Sequence, residues 1–75
     1  MPYVNIRITK DGATAGQKLA LIEGVTDLLV RVLNKNPATT FVIIDEVETD
    51  NWGGNRESAT VQRARQAAAK AGGQP

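Results

Sequence analysis

Histidine and cysteine are both absent from this chain, and their absence removes much of the usual catalytic vocabulary. Without cysteine there are no disulfides and no thiol chemistry. Without histidine the chain lacks the commonest metal ligand and the usual general base near neutral pH. Neither sign of charge is in real excess. Nine basic residues against eight acidic ones leave a net charge of +1, which makes no electrostatic case for nucleic acid or an anionic membrane as partner. No apolar run approaches the roughly 20 residues of a membrane span. The first residues lack a charged segment followed by an apolar run, so no signal peptide is expected. These absences point to a cytoplasmic protein with no metal and no cofactor.

A chain of 75 residues is one domain at most. At this size a single core is marginal unless disulfides, a metal or partner chains add stability. Disulfides are excluded here, which leaves copies of the same chain as the expected source of stability. Tyr3 to Thr9 alternates with the strand period, Val4, Ile6 and Ile8 pointing one way and Tyr3, Asn5, Arg7 and Thr9 the other. Lys10-Asp11-Gly12-Ala13 reads as a turn, and Thr14 followed by Gln17 reads as a capping box opening a helix. Leu21, Ile22, Val25, Leu28, Leu29, Val32 and Leu33 then recur at helical spacing, opposite Lys18, Glu23, Asp27 and Arg31. Asp27 and Arg31 are spaced for an ion pair. Gly24 in mid-helix is expected to mark close packing against another element. Asn34-Lys35-Asn36-Pro37 stops the helix.

Thr39 to Val47 reads as a second strand, and Phe41-Val42-Ile43-Ile44 within it is apolar on both faces. A strand of that kind is buried on both sides. The order strand, long helix, strand implies a right-handed crossover and parallel strands. One helix covers one face of such a sheet, so an oligomer is expected to cover the other. Beyond the strand, Asp45, Glu46, Glu48 and Asp50 lack the fixed spacing of a calcium loop and read as a solvated strand end. Gly53-Gly54 lacks the lysine of a phosphate loop and reads as a turn, with Trp52 beside it as a packing anchor or a pocket wall. Residues 57–70 fit either an exposed helix or an extended arm. They are basic but carry no interleaved aromatics for stacking on bases. The expected organisation is one domain with a core over 2–55, an arm over 56–70 and a disordered tail over 71–75.

The first strand is headed by Met1-Pro2. Proline within a chain has no amide hydrogen and suits only the first position of a strand. If Met1 is removed, the nitrogen of Pro2 becomes a free secondary amine, and an amine can act as a base.

Together these pieces resemble the 4-oxalocrotonate tautomerase family. The resemblance rests on Met1-Pro2 heading a strand, Gln17-Lys18 opening a helix that runs through Leu21-Ile22, a second strand running into Glu46, and Asn51-Trp52-Gly53, where the family has an aromatic residue before glycine. It covers about Pro2 to Gly54. It implies an α/β (α+β) fold, a βαβ protomer with parallel strands of the tautomerase/MIF-like kind, and an obligate oligomer built from dimers, commonly a hexamer. It also implies that Pro2 is the catalytic base, moving a proton between the oxygen and carbon ends of a dienol. Family enzymes acting on dicarboxylates have two arginines at positions held here by Ala13 and Phe41. Phe41 and Trp52 would line an apolar pocket, favouring an aryl or monocarboxylate substrate, with Lys10 or Arg7 as substitute cations. The alternatives are a non-catalytic or accessory subunit of a tautomerase-like oligomer, in which a partner chain could supply the arginines, and a hydratase or dehalogenase of an unsaturated acid.

Overall fold

The computed structural model describes residues 1–72, with side chains described to Lys70. Strand β1 spans Tyr3–Thr9, with Val4, Ile6 and Ile8 half-buried and Tyr3, Asn5 and Arg7 exposed. The chain turns at Gly12, whose φ of 88° is open to glycine and strained for other residues. Helix α1 spans Ala15–Leu33. Both halves of its capping box form: the Gln17 amide donates to Thr14 Oγ1 at 3.1 Å, and the Thr14 amide donates to Gln17 Oε1 at 2.9 Å. Asn34 ends the helix in the left-handed region at φ 55°, its amide donating to the Val30 carbonyl at 2.9 Å.

A 3₁₀ turn at Pro37–Thr39 follows, and strand β2 spans Phe41–Val47. The strand therefore starts two residues after the expected Thr39. The Asn36 carbonyl accepts from the Thr39 amide at 3.1 Å and from the Thr40 hydroxyl at 2.8 Å, which keeps these residues curled in the turn. Strands β1 and β2 pair in parallel, with Tyr3 opposite Phe41 and Thr9 opposite Val47.

Glu46 stands opposite Ile8 in this register, and Lys18 on α1 forms an ion pair with Glu46. The pair marks the sheet face that α1 covers, where Val4, Ile6, Ile8, Val42 and Ile44 are half-buried. Val25 and Leu29 are half-buried on the helix, whereas Leu21, Leu28 and Val32 on its flank are exposed. The apolar arc of α1 is wider than two strands can cover. Gly24 does not show the expected close packing, since a Cβ there would meet nothing within 4 Å. Asp27 and Arg31 form no ion pair among the described residues, although their spacing permits one.

The opposite sheet face is uncovered. Tyr3, Phe41 and Ile43 lie there at 64%, 49% and 46% exposure. Asn5 Nδ2 donates to Asp45 Oδ2 at 2.8 Å, and Arg7 Nε lies 3.6 Å from the same oxygen. Ala59 is the one buried apolar residue among those described. The radius of gyration is 17.3 Å, against about 11 Å for a compact chain of this length. Ordering a backbone costs about 1–2 kcal/mol per residue, which so thin a core does not offset.

After β2, a 3₁₀ turn at Thr49–Asn51 leads into a small antiparallel hairpin, β3 at Gly53–Gly54 and β4 at Glu57–Ser58. Gly53 and Gly54 are thus strand residues, and the turn lies at Asn55 and Arg56, with φ of 53° and 68°. Positive φ at both central residues is what a type I′ two-residue hairpin turn requires. The boundary expected at 55/56 falls inside this turn. Of the two expected forms for the C-terminal arm, the helix is observed, as α2 at Ala59–Gly72. Residues 73–75 of the expected tail lie outside the described residues.

Candidate functional site

Pro2 heads β1 at one end of the parallel sheet, where its carbonyl accepts the Phe41 amide at 3.0 Å. The register follows from this contact, because it sets Tyr3 against Phe41 at the start of both strands. The fold thus brings Pro2 and Phe41 together, with the apolar ring of Phe41 half-exposed on the uncovered face. Met1 is exposed at 86%. While it remains attached, the Pro2 nitrogen is an amide without basic character.

The other candidates lie elsewhere in the protomer. Parallel strands rise about 3.3 Å per residue, so Arg7, in the fifth residue after Pro2, is roughly 16 Å along β1. Lys10 lies past the far end of the sheet, its amide donating to the Val47 carbonyl at 2.8 Å. Both cations are already paired, Arg7 with Asp45 at 3.6 Å and Lys10 with Glu48 at 3.1 Å. The carboxylates read as a solvated strand end have partners too. Asp45 is held by Asn5 and Arg7, Glu46 by Lys18, Glu48 by Lys10, and Asp50 accepts from the Thr60 hydroxyl.

Trp52 is also beyond the far end, joining the Thr49–Asn51 turn to the hairpin. Its carbonyl accepts the Ala59 amide at 2.7 Å, which fixes the start of α2 against it. Side chains of α2 hold this region in place. Gln62 Nε2 donates to the Gly54 carbonyl at 2.6 Å, and Arg65 Nη1 donates to Glu57 Oε1 and Oε2 at 2.8 and 2.6 Å. Arg63 ties α2 to the turn after β1 by donating to both oxygens of Asp11 and to the Thr9 hydroxyl. The hydrogen bond from Arg63, then that from Thr9, hold the Asp11 carboxyl down at about 2 from an ordinary 3.8. The same contact raises the Arg63 guanidinium above its usual range.

The hairpin, Asp50 and Asn51 border a cleft of about 530 Å³, lined also by Arg56, Glu57 and Ser58. Among the described residues Arg56 has no hydrogen-bonded or ion-paired partner. Sequence reasoning passed over Arg56 and the Arg63–Asp11 clamp. The clamp joins residues 52 apart and leaves no local trace. Asn55 favours the left-handed geometry of a hairpin turn, but β3 is two glycines and β4 only Glu57–Ser58, too little side-chain alternation to reveal a hairpin around it.

Residues 2–62 match the family model described as "Tautomerase enzyme". The chain belongs to the tautomerase family. This tautomerase is 73% identical over 63 residues to "Probable tautomerase K2" of Dickeya dadantii (strain 3937), an alignment covering 84% of this chain and 94% of that one. Its structure resembles the crystal structure of DmpI from Helicobacter pylori, with a TM-score of 0.80, 49% identity, and coverage of 84% of this chain and 97% of that one. It also shares its fold with the heterohexamer 4-oxalocrotonate tautomerase of Chloroflexus aurantiacus J-10-fl. That comparison gives a TM-score of 0.72 at 22% identity, over 80% of this chain and 95% of that one. The small βαβ fold of 4-oxalocrotonate tautomerases, with its parallel β1–β2 pair, is therefore the fold of this tautomerase. The matched family segment ends at Gln62, so Arg63, Arg65 and the rest of α2 lie beyond it.

Proposed function

We propose that this protein is a keto–enol tautomerase of a small unsaturated 2-hydroxy or 2-oxo acid, working in the cytoplasm, with Pro2 as general base once Met1 is removed. The observation that carries the reading is the family match from residue 2 through Gln62, with a proline at its head. A free α-amine has an ordinary pKa of about 7.7 to 8.0. Apolar surroundings disfavour its charged form and lower that value, and a base near neutral pH suits proton shuttling. The unprotonated Pro2 amine takes the proton from the enol hydroxyl, the electron pair moves through the double bond to carbon, and the resulting ammonium returns the proton there. In a chain without histidine or cysteine, Pro2 is well suited to that work.

In this reading the site spans protomers. Trp52 lies past the end of strands of seven residues each, and a rise of about 3.3 Å per residue puts it roughly 20 Å from Pro2 of the same chain. Trp52 therefore walls the pocket at a neighbour's Pro2, with Phe41 beside that proline. The exposed Tyr3, Phe41, Ile43, Leu28 and Val32 supply the apolar contacts of a dimer-based oligomer, a hexamer in this proposal. The pocket is apolar, and Ala13 and Phe41 leave a second carboxylate without a partner, which would make its burial costly. An aryl monocarboxylate enol, as met in the breakdown of aromatic compounds, is the preferred substrate class.

The test is turnover of phenylenolpyruvate by wild type and Pro2→Ala, with intact mass establishing the first residue of each. A positioned base contributes about 10²–10⁴-fold, and alanine keeps an N-terminal amine, so a loss of roughly tenfold or more is expected. Equal rates would refute the base. Ala13 and Phe41 also favour a second reading, an accessory subunit whose partner chain brings the arginines. Full activity of the homogeneous purified chain would eliminate that alternative.

A further inference from the structure

An acidic substrate at Pro2 needs a cation, and both cations suggested by sequence are paired elsewhere, Arg7 with Asp45 and Lys10 with Glu48. We propose that Arg56, at the tip of the β3–β4 hairpin, is the residue that binds the substrate carboxylate, delivered with Trp52 to a neighbouring protomer's Pro2. The inference rests on the tautomerase reading above and names the group that holds its acidic substrate.

Arg56 occupies the second central position of the hairpin turn at φ 68°, a conformation that glycine adopts freely and arginine does not. Turn geometry by itself selects glycine there, so a long cation answers to something other than folding. The charge is also unclaimed. The adjacent carboxylate, Glu57, is engaged through both oxygens by Arg65 at 2.8 and 2.6 Å, and Asp50 across the cleft accepts from Thr60. Among the described residues nothing hydrogen-bonds or pairs with Arg56.

The space beside it has the volume of a small-molecule site. Arg56 lines a cleft of about 530 Å³, within the range of roughly 300–1,000 Å³ common for small-molecule sites. Gly53 and Gly54 form part of that cleft between Trp52 and the turn. A Cβ at Gly53 would come no closer than 3.7 Å to the Glu57 carbonyl, and one at Gly54 no closer than 4.0 Å to Gln62, so packing demands neither glycine. Their missing side chains keep the cleft open. Arg56 follows Trp52 by four positions of the hairpin, about 10 Å at ordinary strand rise once the turn is allowed for. An aryl ring against Trp52 and a carboxylate in the guanidinium fork of Arg56 fit that span. Arginine suits the task because its planar fork pairs with both oxygens of a carboxylate.

The experiment reads binding without turnover, so it stands apart from the fate of Pro2. The full-length protein is titrated with 3-phenylpropanoate and with 3-phenylpropanol, followed by calorimetry and by the fluorescence of Trp52, the only tryptophan. Arg56→Gln should raise the Kd of the carboxylate by about tenfold or more and leave that of the alcohol within about twofold. Arg56→Lys should recover part of the loss. Arg56→Gly should weaken carboxylate binding while raising Tm, because it relieves the turn; a residue with a merely structural role would not separate the two. If Pro2→Ala retains full activity while these binding results hold, the base reading fails and this one stands. Unchanged carboxylate affinity in Arg56→Gln, equal losses for acid and alcohol, or no preference for the acid in wild type would each overturn the proposal.

Discussion

Replacing Ile43 by aspartate tests the central claim about assembly. Ile43 sits mid-strand on the uncovered face and keeps 46% of its surface accessible in the protomer. Fully burying an isoleucine side chain stabilises by about 1.5–3 kcal/mol, so covering the remaining half contributes roughly 1 kcal/mol per chain. Aspartate forfeits that and carries a charge into the contact, where an unpaired ion costs several kcal/mol. Asp45, two residues along the same strand and face, adds like charge and already engages Asn5 and Arg7. The combined cost is about 4 kcal/mol or more per chain, roughly 10³-fold in association. In an isolated protomer the same change is a surface substitution worth about 0.5 kcal/mol, plus the weak disfavour of aspartate in strands. Sedimentation velocity at micromolar concentration, paired with thermal melting by circular dichroism, separates these cases. Wild type should sediment as a dimer-based oligomer. Ile43→Asp should sediment as smaller species or lose cooperative folding. A variant with wild-type mass and wild-type Tm would show that Ile43 stays in water in the working protein, and the burial argument would fall.

Other outcomes follow from individual contacts. The Asp11 carboxyl is held at about 2, below its ordinary 3.8, so its stabilisation is present above about pH 4 and disappears as pH falls through about 2. The stability difference between wild type and Arg63→Gln, measured by urea unfolding, should therefore narrow over that window; a difference independent of pH, or an Asp11 carboxyl titrating normally by NMR, would exclude the clamp. Thr14→Ala removes the hydroxyl that accepts the Gln17 amide and should lower stability by about 1 kcal/mol, while Gln17→Ala should cost less than Thr14→Ala because the Thr14 amide can turn to water. Equal stability of Thr14→Ala and wild type in chemical denaturation would contradict the capping assignment. Trp52→Ala should raise KM for an aryl enol more than for a short aliphatic one, because it removes an apolar wall and no charge; equal changes would place Trp52 outside the pocket.

Much of this protein could be read locally. The alternation of Val4, Ile6 and Ile8 defines β1, and Thr14 with Gln17 marks the first turn of α1 to the residue. Asn34 ends α1 because asparagine tolerates the left-handed geometry found there. Each of these depends on groups only a few residues apart, so short-range rules suffice. The uncovered sheet face was legible as well, since Phe41-Val42-Ile43-Ile44 is apolar on both faces and the chain is too short to cover both.

What only the tertiary structure decided concerns groups brought together from far apart. Which part of the α1 stripe packs on the sheet and which stays exposed depends on where two strands end beneath it, and periodicity cannot say. Lys10 and Arg7 were candidates for a site because their chain positions allowed it, but pairing β1 with β2 lays Glu48 and Asp45 beside them. The Asn55-Arg56 turn was hidden because β3 is two glycines, with no side chains to alternate, and β4 is only two residues long. Composition and order therefore specify a βαβ tautomerase with Pro2 at its head. The parallel register decides that Phe41 is Pro2's neighbour and that Trp52 is not, because one hydrogen-bonded pairing at the strand starts sets every later residue a fixed rise further away.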